Sequence, residues 1–221
     1  MRYSAEHKTE TRSRILEAAG QLFRRDGYGG SGIDGLTKAA GVTNGAFYGH
    51  FKSKSEAFRT VVLSGLEELR LAVAGLKASR GTQWIKAFIE LYLGPKRTCA
   101  VEESCALPSF SPEMVRADDE TREAYEAELR RLIDEVSSGM PAGAGTDQED
   151  QAIALLAMLS GGVTLARAVP DPALSERIAQ AVGKMAAAMT AAGVADKPPR
   201  AKRATPRAGS RSSASATPKK R

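Results

Sequence analysis

Apolar side chains recur at intervals of three and four residues along most of this chain, which is the spacing of one face of an α-helix. The clearest runs lie at residues 15–23, 83–94, 147–168 and 172–193. No segment alternates apolar and polar residues with the period of a β-strand. Aromatic residues, which favour sheets, make up only 5% of the 221 residues. The sequence therefore predicts an all-α fold.

Glycine and capping residues divide the first 54 residues into short helices. Gly41 separates two of them, and a tight turn between helices favours a residue that tolerates left-handed dihedral angles. Ser31 is the expected N-cap of the helix before this turn, and Thr43 is the expected N-cap of the helix after it. A longer helix precedes both and is expected to end at Gly27. Two short helices joined by a glycine turn and packed on a longer one form a helix-turn-helix.

The exposed face of the third helix has side chains that suit the major groove of DNA. Asn44 can offer a donor and an acceptor to adenine, and Thr43 can bond a base edge or touch a thymine methyl group. Gly45 lets the backbone approach closely. Three further side chains lie where they could contact phosphates: Tyr48, His50 and Lys54. The alternative for this set is that the polar side chains simply face solvent on a small helical domain, and a capping or packing role stays open for His50.

Residues 33–54, IDGLTKAAGVTNGAFYGHFKSK, closely resemble the signature of the TetR (tetracycline repressor) family. Residues 14–28 resemble the first helix of that family. Gly32 and Gly35 depart from it, because many relatives have polar residues there. The resemblance implies an N-terminal helix-turn-helix and a helical body that binds a small-molecule effector and forms a homodimer. It further implies a ligand-responsive transcriptional regulator, a repressor that leaves its double-stranded DNA operator when the effector binds.

The resemblance also assigns roles to the residues of the third helix. Thr43, Asn44 and Gly45 become candidates for reading bases, and Tyr48, His50 and Lys54 become candidates for binding phosphate.

Residues 103–110 and 165–175 resemble, more loosely, a C-terminal pattern of one branch of the family. This implies an effector pocket between the middle helices and a dimer made by the last two. Six residues are candidates for the pocket: Trp84, Phe88, Tyr92, Cys105, Phe110 and Met158. Plain core packing is the alternative for most of them. Small residues that support close helix approach in a dimer, or within one chain, are Ser160, Gly161, Gly162 and Ala166.

The two cysteines leave a sensing role open. Arg97 is close to Cys99 in sequence, but Glu102 and Glu103 flank Cys105 and disfavour a reactive thiolate. Buried thiols without reactivity are the favoured alternative.

The middle of the chain is less regular. A capping box at Ser53 and Glu56 opens a fourth helix, expected to end near Gly75. Residues 96–111 are expected to be irregular. Pro112 is then expected at the first position of a long helix that reaches Val136.

Nine of the 32 Lys and Arg residues lie in 196–221, but only one of the 26 Asp and Glu residues does. Residues 1–195 therefore carry a net charge of −2. The low-complexity tail is predicted to be disordered and to add non-specific DNA affinity by counterion release. An inert solubilising tail is the alternative. This gives three predicted segments: a helix-turn-helix domain at 1–54, an effector-binding and dimerisation domain at 55–195, and the basic tail at 196–221.

Several classes of protein are disfavoured. Residues 1–14 contain no apolar run of a secretory signal, and the longest apolar stretch, 152–159, is short for a bilayer span. A cytoplasmic, nucleoid-associated protein without a membrane partner is expected. The acidic residues of 118–128 have no histidine near them in sequence, so no enzyme activity, cofactor or metal is expected. The remaining rival is a DNA-coating protein whose tail does most of the binding.

Overall fold

The computed structural model of this chain describes residues 5–141 and 147–192. Every regular element in these two ranges is helical, which confirms the all-α fold. The basic tail, 196–221, lies outside the described residues. Ten α-helices follow in chain order: α1 Ala5–Gly30, α2 Ile33–Ala40, α3 Asn44–Tyr48, α4 Lys54–Arg80, α5 Trp84–Leu93, α6 Pro95–Thr98, α7 Ala106–Met114, α8 Asp119–Ser137, α9 Gln148–Ala168 and α10 Pro172–Ala192. Short 3-10 turns lie at Gly81–Gln83 and Val101–Glu103.

The turn between α2 and α3 forms as the sequence predicts. Gly41 has a φ of 64°, in the left-handed region, and its amide donates to the carbonyl groups of Lys38 and Thr37 at the end of α2. Thr43 is the N-cap of α3, and its hydroxyl accepts a hydrogen bond from the amide of Ala46 at 3.1 Å. The prediction for Ser31 is wrong, because Gly32 occupies the N-cap of α2 and gives no side-chain cap.

Gly27 interrupts α1 with a φ of 73° and a ψ of 171°, which confirms the predicted break, although one more helical turn follows it. The predicted capping box at the start of α4 forms in part, because the Glu56 carboxylate reaches back to Lys52 instead of Ser53. Ser53 Oγ accepts from the amide of Glu56 at 3.1 Å, and the Glu56 carboxylate accepts from the amide of Lys52 at 2.6 Å.

Helix α4 passes the end that was predicted near Gly75 and continues to Arg80. Val73 is fully buried, and Leu76 packs against the same core one turn later. Burial of side chains on both sides of Gly75 thus outweighs the weak preference of glycine against the helix, which is about 1 kcal/mol.

Residues 96–111 are more ordered than predicted, because α6, a 3-10 turn and most of α7 lie there. Pro112 lies in the last turn of α7 rather than at the start of a helix. The long helix, α8, instead begins after its N-cap Asp118, whose carboxylate accepts from the amide of Thr121 at 2.8 Å. A proline near a helix end removes only one backbone hydrogen bond, so Pro112 did not mark a start.

The buried apolar side chains form two clusters. The first joins α1, α2 and α3 to the N-terminal half of α4 and to α7. The second joins the C-terminal half of α4 to α5, α8, α9 and α10. We call the parts around these clusters the head and the body. Helix α4 belongs to both, so it connects the head to the body without an intervening linker.

Helix α9 is, among the described residues, the one helix whose length and apolar composition would allow it to cross a membrane. The core helix of a soluble protein meets the same criterion. Leu155, Leu156 and Leu159 of α9 are buried within the protein's own body.

Candidate nucleic-acid interface

Helix α3 presents one buried and one exposed face. Phe47 has no exposed surface and anchors α3 against Phe51, with ring centroids 5.6 Å apart. Tyr48 points away from this core and is 56% exposed, with its ring edge-on to Phe47. Thr43, Asn44 and Gly45 are also exposed. The structure therefore brings the candidate base-reading residues and Tyr48 together on one accessible surface, which we call the reading face.

Helix α2 holds the Asn44 amide group from two sides. Asn44 Oδ1 accepts from the Thr37 hydroxyl, and Asn44 Nδ2 donates to Asp34 Oδ1, both at 2.8 Å. A carboxamide has two donor hydrogens and two acceptor lone pairs, so one of each remains. The Asp34 carboxylate can only accept, which fixes which end of the amide carries the nitrogen. The two hydrogen bonds therefore hold the Asn44 carboxamide in a fixed orientation at the protein surface.

Lys54 is less available than its sequence position suggests. Its ammonium group donates to the carbonyl of Tyr28 and lies 4.2 Å from the centroid of the Tyr28 ring. Partial burial lowers the pKa of Lys54. A phosphate contact by Lys54 would compete with Tyr28 at the end of α1.

His50 is half-buried in the turn after α3. Burial lowers the pKa of this imidazole, and the positive charges of Lys8 and Arg12 lower it further. His50 therefore lies beside cations on α1 and favours its neutral form.

The start of α1 adds basic residues that the sequence reasoning missed. A cleft of about 720 Å³ separates the start of α1 from α3, and His7, Lys8 and Arg14 line its α1 side. Arg12 lies over the ring of Phe51, with its guanidinium carbon 5.1 Å from the ring centroid. The cluster of basic residues at 8–14 was the available signal, but the sequence alone did not show that α1 begins early enough to bring them beside α3.

The candidate effector pocket does not assemble as one site. Trp84, Phe88 and Tyr92 are buried in the body, with Met158 partly buried beside them. Phe110 belongs instead to the head cluster, where its ring meets Phe58 edge-on at 5.6 Å. Phe110 thus lies apart from the other five candidates, because α7 turns this ring towards α4 and α1, and its role in an effector pocket stays a prediction. The indole N–H of Trp84 is already used in the fold, since it donates to the Gly139 carbonyl at 3.1 Å.

Two of the six candidates, Tyr92 and Cys105, line a cleft of about 130 Å³ between the head and the body. The Tyr92 hydroxyl donates to the Cys105 sulfur at 3.2 Å. Burial raises the pKa of Cys105, although hydrogen bonds from Tyr92 and the Leu107 backbone lower it in part. Cys105 is thus a buried neutral thiol, which is the less reactive form.

A glycine-turn pair of helices with an exposed polar reading face, flanked by cations and carried on a longer helix, defines a helix-turn-helix DNA-binding domain. Residues 15–61 match the family model described as bacterial regulatory proteins of the tetR family. The DNA-binding domain of this chain is therefore similar to that of the tetR family of regulatory proteins.

Two curated relatives and one solved structure show the extent of the similarity. The transcriptional regulator AcrR of Shigella flexneri is 42% identical over 60 residues, which are 27% of this chain and 28% of AcrR. The transcriptional repressor DhaR of Mycobacterium sp. (strain GP1) is 28% identical over 129 residues, 58% of this chain and 62% of DhaR. The chain therefore spans under a third of AcrR and under two thirds of DhaR. The reduced form of NemR from E. coli superimposes with a TM-score of 0.70 at 21% identity, covering 80% of this chain and 95% of NemR. This last similarity extends the shared fold beyond the head into the body.

Proposed function

We propose that this protein is a homodimeric, cytoplasmic repressor that binds a double-stranded DNA operator and is released from it by a small-molecule effector. The reading face is the observation that carries the proposal, because Asn44 is oriented there with one free donor and one free acceptor. Thr43 and Gly45 border it, and Tyr48 is placed for a phosphate. DhaR, a relative described as a repressor, supports repression as the output.

The basic residues at the start of α1 extend the proposed DNA contact. Lys8 and Arg14 are exposed on the side of the cleft that faces α3, and Arg12 is exposed nearby, over the Phe51 ring. Phosphate contacts of this kind position a protein on DNA, whereas contacts to base edges provide the sequence selectivity. His50 belongs to the same positively charged border, and Lys54 joins it only by leaving Tyr28.

A dimer is required to read a two-fold symmetric operator. Its two α3 helices would lie about 34–36 Å apart, one turn of DNA. Helices α9 and α10 expose Leu165, Leu174 and Met185, which can pack against a second copy. Gly162 allows close packing of α9 on α10 within one chain, since a Cβ there would lie 2.9 Å from Val182. A Cβ at Gly161 would meet open space.

An effector would act by favouring a dimer with a different spacing between its heads. Coupling between two sites in such proteins typically amounts to about 1–3 kcal/mol. The cleft between the head and the body is suitably placed, since α1 of the head lines it on one side and α5 of the body on another.

The test begins with selection of an operator from random double-stranded DNA, followed by anisotropy titrations of selected and scrambled DNA. We expect Asn44→Ala to weaken operator binding by about 5–150-fold, equivalent to about 1–3 kcal/mol, and to leave scrambled DNA almost unaffected. Gln21→Ala, an exposed change elsewhere on α1, is the control. Unchanged operator selectivity in Asn44→Ala would contradict the proposed reading face.

The DNA-coating alternative rests on the basic tail, and the same titrations separate it from the repressor. Truncation after residue 195 should lower affinity for both DNAs and preserve the ratio between them. Loss of nearly all binding would favour a coating protein.

A further inference from the structure

The cleft between the head and the body has an apolar wall and a polar floor. Leu69 and Ala72 of α4 and Leu91 of α5 supply apolar surface, while Tyr92 and Cys105 lie at the floor. The cleft is small, about 130 Å³. Ligand sites commonly combine such apolar walls with a few convergent polar groups.

Arg24 and Lys96 both line this cleft, and both are half-buried. Arg24 Nε donates to the Ser104 carbonyl at 2.8 Å, and Nη1 donates to the Gly20 carbonyl at 3.1 Å. Among the described residues, Nη2 of Arg24 and Nζ of Lys96 have no hydrogen-bond acceptor, and no carboxylate lies within 4.0 Å of either cation. A partly desolvated charge is costly unless it is paired, so two unpaired cations in one cleft call for an anion.

The carboxylates nearest to these cations do not fill that role. Glu68 and Glu103 also border the cleft, but both are exposed, and water and salt screen exposed charges. Glu68 attracts Arg24 from beyond ion-pair distance. Their position at the rim disfavours a ligand of high negative charge and leaves a monoanion acceptable.

We propose that this cleft binds a small organic monocarboxylate, whose carboxylate pairs with Arg24 Nη2 and Lys96 Nζ while its short carbon chain lies on Leu69 and Leu91. A carboxylate matches the planar donor geometry of a guanidinium group. Gly65 leaves the space beside Nη2, because a Cβ at this position would lie 3.4 Å from that atom and 2.5 Å from the Ala106 Cβ.

Arg24 gives this site a path to the DNA-binding head. It belongs to α1, its guanidinium carbon lies 5.1 Å from the centroid of the Phe110 ring, and it is hydrogen-bonded to Ser104 before α7. A carboxylate that draws Arg24 towards Lys96 therefore shifts α1 relative to the body. This regulatory consequence rests on the proposed function, whereas the binding site itself does not.

Isothermal titration calorimetry of the full chain with sodium butyrate tests the site, with butyramide and butylammonium as uncharged and cationic probes of similar size. We expect saturable binding of butyrate alone, and about tenfold weaker binding in Lys96→Gln, as for loss of one charge-assisted hydrogen bond. Lys86→Gln on the exposed side of α5 is the matched control. Absence of butyrate binding, equal binding of butyramide, or an unchanged affinity in Lys96→Gln would each overturn the proposal.

Operator titrations with and without saturating butyrate test the coupling. We expect butyrate to weaken operator binding by the wild type but not by Lys96→Gln. This result supports the shift of α1. An unchanged operator affinity overturns the coupling. If the chain bound no operator at all, the proposed repressor function would fail while the calorimetric result for the cleft would still stand.

Discussion

Asn44 shows how one side chain serves both the fold and the reading face. Its two hydrogen bonds to α2 fix the angle between the helices and set the direction of the remaining donor and acceptor. The sequence motif predicted Asn44 as a contact residue. It could not show the Thr37 and Asp34 partners, because these depend on how α2 and α3 cross. The capping role of Thr43 was predictable, since an N-cap acts within four residues of its own position.

The Tyr48 side chain allows a specific test of phosphate contact. Tyr48→Phe removes only the exposed hydroxyl and keeps the ring packed edge-on to Phe47. We expect operator affinity to fall by about 2–13-fold, equivalent to about 0.5–1.5 kcal/mol for one hydrogen bond, with no change in Tm. Tyr125→Phe, in the body, serves as the control in the same anisotropy titration. Unaltered operator binding in Tyr48→Phe would show that the hydroxyl does not contact DNA.

Among the elements, α4 and α8 are parallel helices joined by three ion pairs along their length. These are Arg59 with Glu120 at 2.6 Å, Arg70 with Glu128 at 3.5 Å, and Lys77 with Glu135 at 2.6 Å. Glu128 is buried and the Lys77–Glu135 pair is largely shielded from water, so desolvation offsets much of the attraction and the main effect of these pairs is to align the two helices. Buried Leu132 and Val136 of α8 supply the apolar contact with the body core.

Two glycines in α4 have opposite packing environments, and alanine substitutions should reveal this. Gly65→Ala places a methyl group 2.5 Å from the Ala106 Cβ, and we expect overpacking to lower the free energy of unfolding by about 1–3 kcal/mol. A Cβ at Gly75 would meet no atom within 4 Å outside the backbone of its own helix, so Gly75→Ala should raise the free energy of unfolding by about 0.5–1 kcal/mol. Urea unfolding monitored by circular dichroism measures both. Equal effects of the two changes would rule out the close approach of α4 to α7.

Asp118 at the start of α8 makes the junction with α4 sensitive to acid. Its hydrogen bonds with Ser55 and then with Thr121 lower its pKa to about 2. Because the folded pKa lies below the unfolded value near 3.9, the stabilisation is complete above that value and is lost as the pH falls towards about 2. The Tm difference between the wild type and Asp118→Ala should therefore be constant at neutral pH and shrink between about pH 4 and 2. Thermal unfolding across this range checks it, with Asp119→Ala, at an exposed neighbouring position, as the control. A Tm difference that persists at pH 2 would contradict this assignment.

The helices that the sequence predicted well are those with local signals. Thr43 and Ser53 cap α3 and α4 as expected, and Pro170 and Pro172 mark the break between α9 and α10. The segment from α6 to α7 was missed because its helices are short and because Pro112 resembles a helix start. The end of α4 was missed because burial in the body, rather than Gly75, determines it.

For the whole molecule, the all-α class and the order of head and body followed from periodicity and the helix-turn-helix motif. The predicted boundary at 54/55 falls at the start of α4 and stays a prediction. The arrangement of the candidate pocket could not be predicted, because Phe110 and Cys105 are close in the sequence yet belong to different clusters. Only tertiary packing separates them.

The proposed dimer can be tested on exposed apolar residues of the last two helices. Leu165 of α9 is 61% exposed and Met185 of α10 is 63% exposed. We expect the double change Leu165→Glu and Met185→Glu to convert a dimer to a monomer, because buried unpaired carboxylates oppose association. Leu71→Glu, at an exposed apolar position on α4, should leave the dimer intact. Sedimentation velocity distinguishes these states, and a double variant that still sediments as a dimer would place the interface elsewhere.

Helix α4 contains 27 residues, so it is about 40 Å long at 1.5 Å per residue. Its C-terminal end is packed in the body, and its N-terminal end packs in the head, close to the α3 helix that presents the reading face. A tilt of about 5° at the C-terminal end would displace the N-terminal end by about 3.5 Å, a large error against a DNA repeat of about 34 Å. A small tilt of this one rigid helix is therefore enough to move the two reading faces of a dimer away from the spacing of successive turns of the double helix.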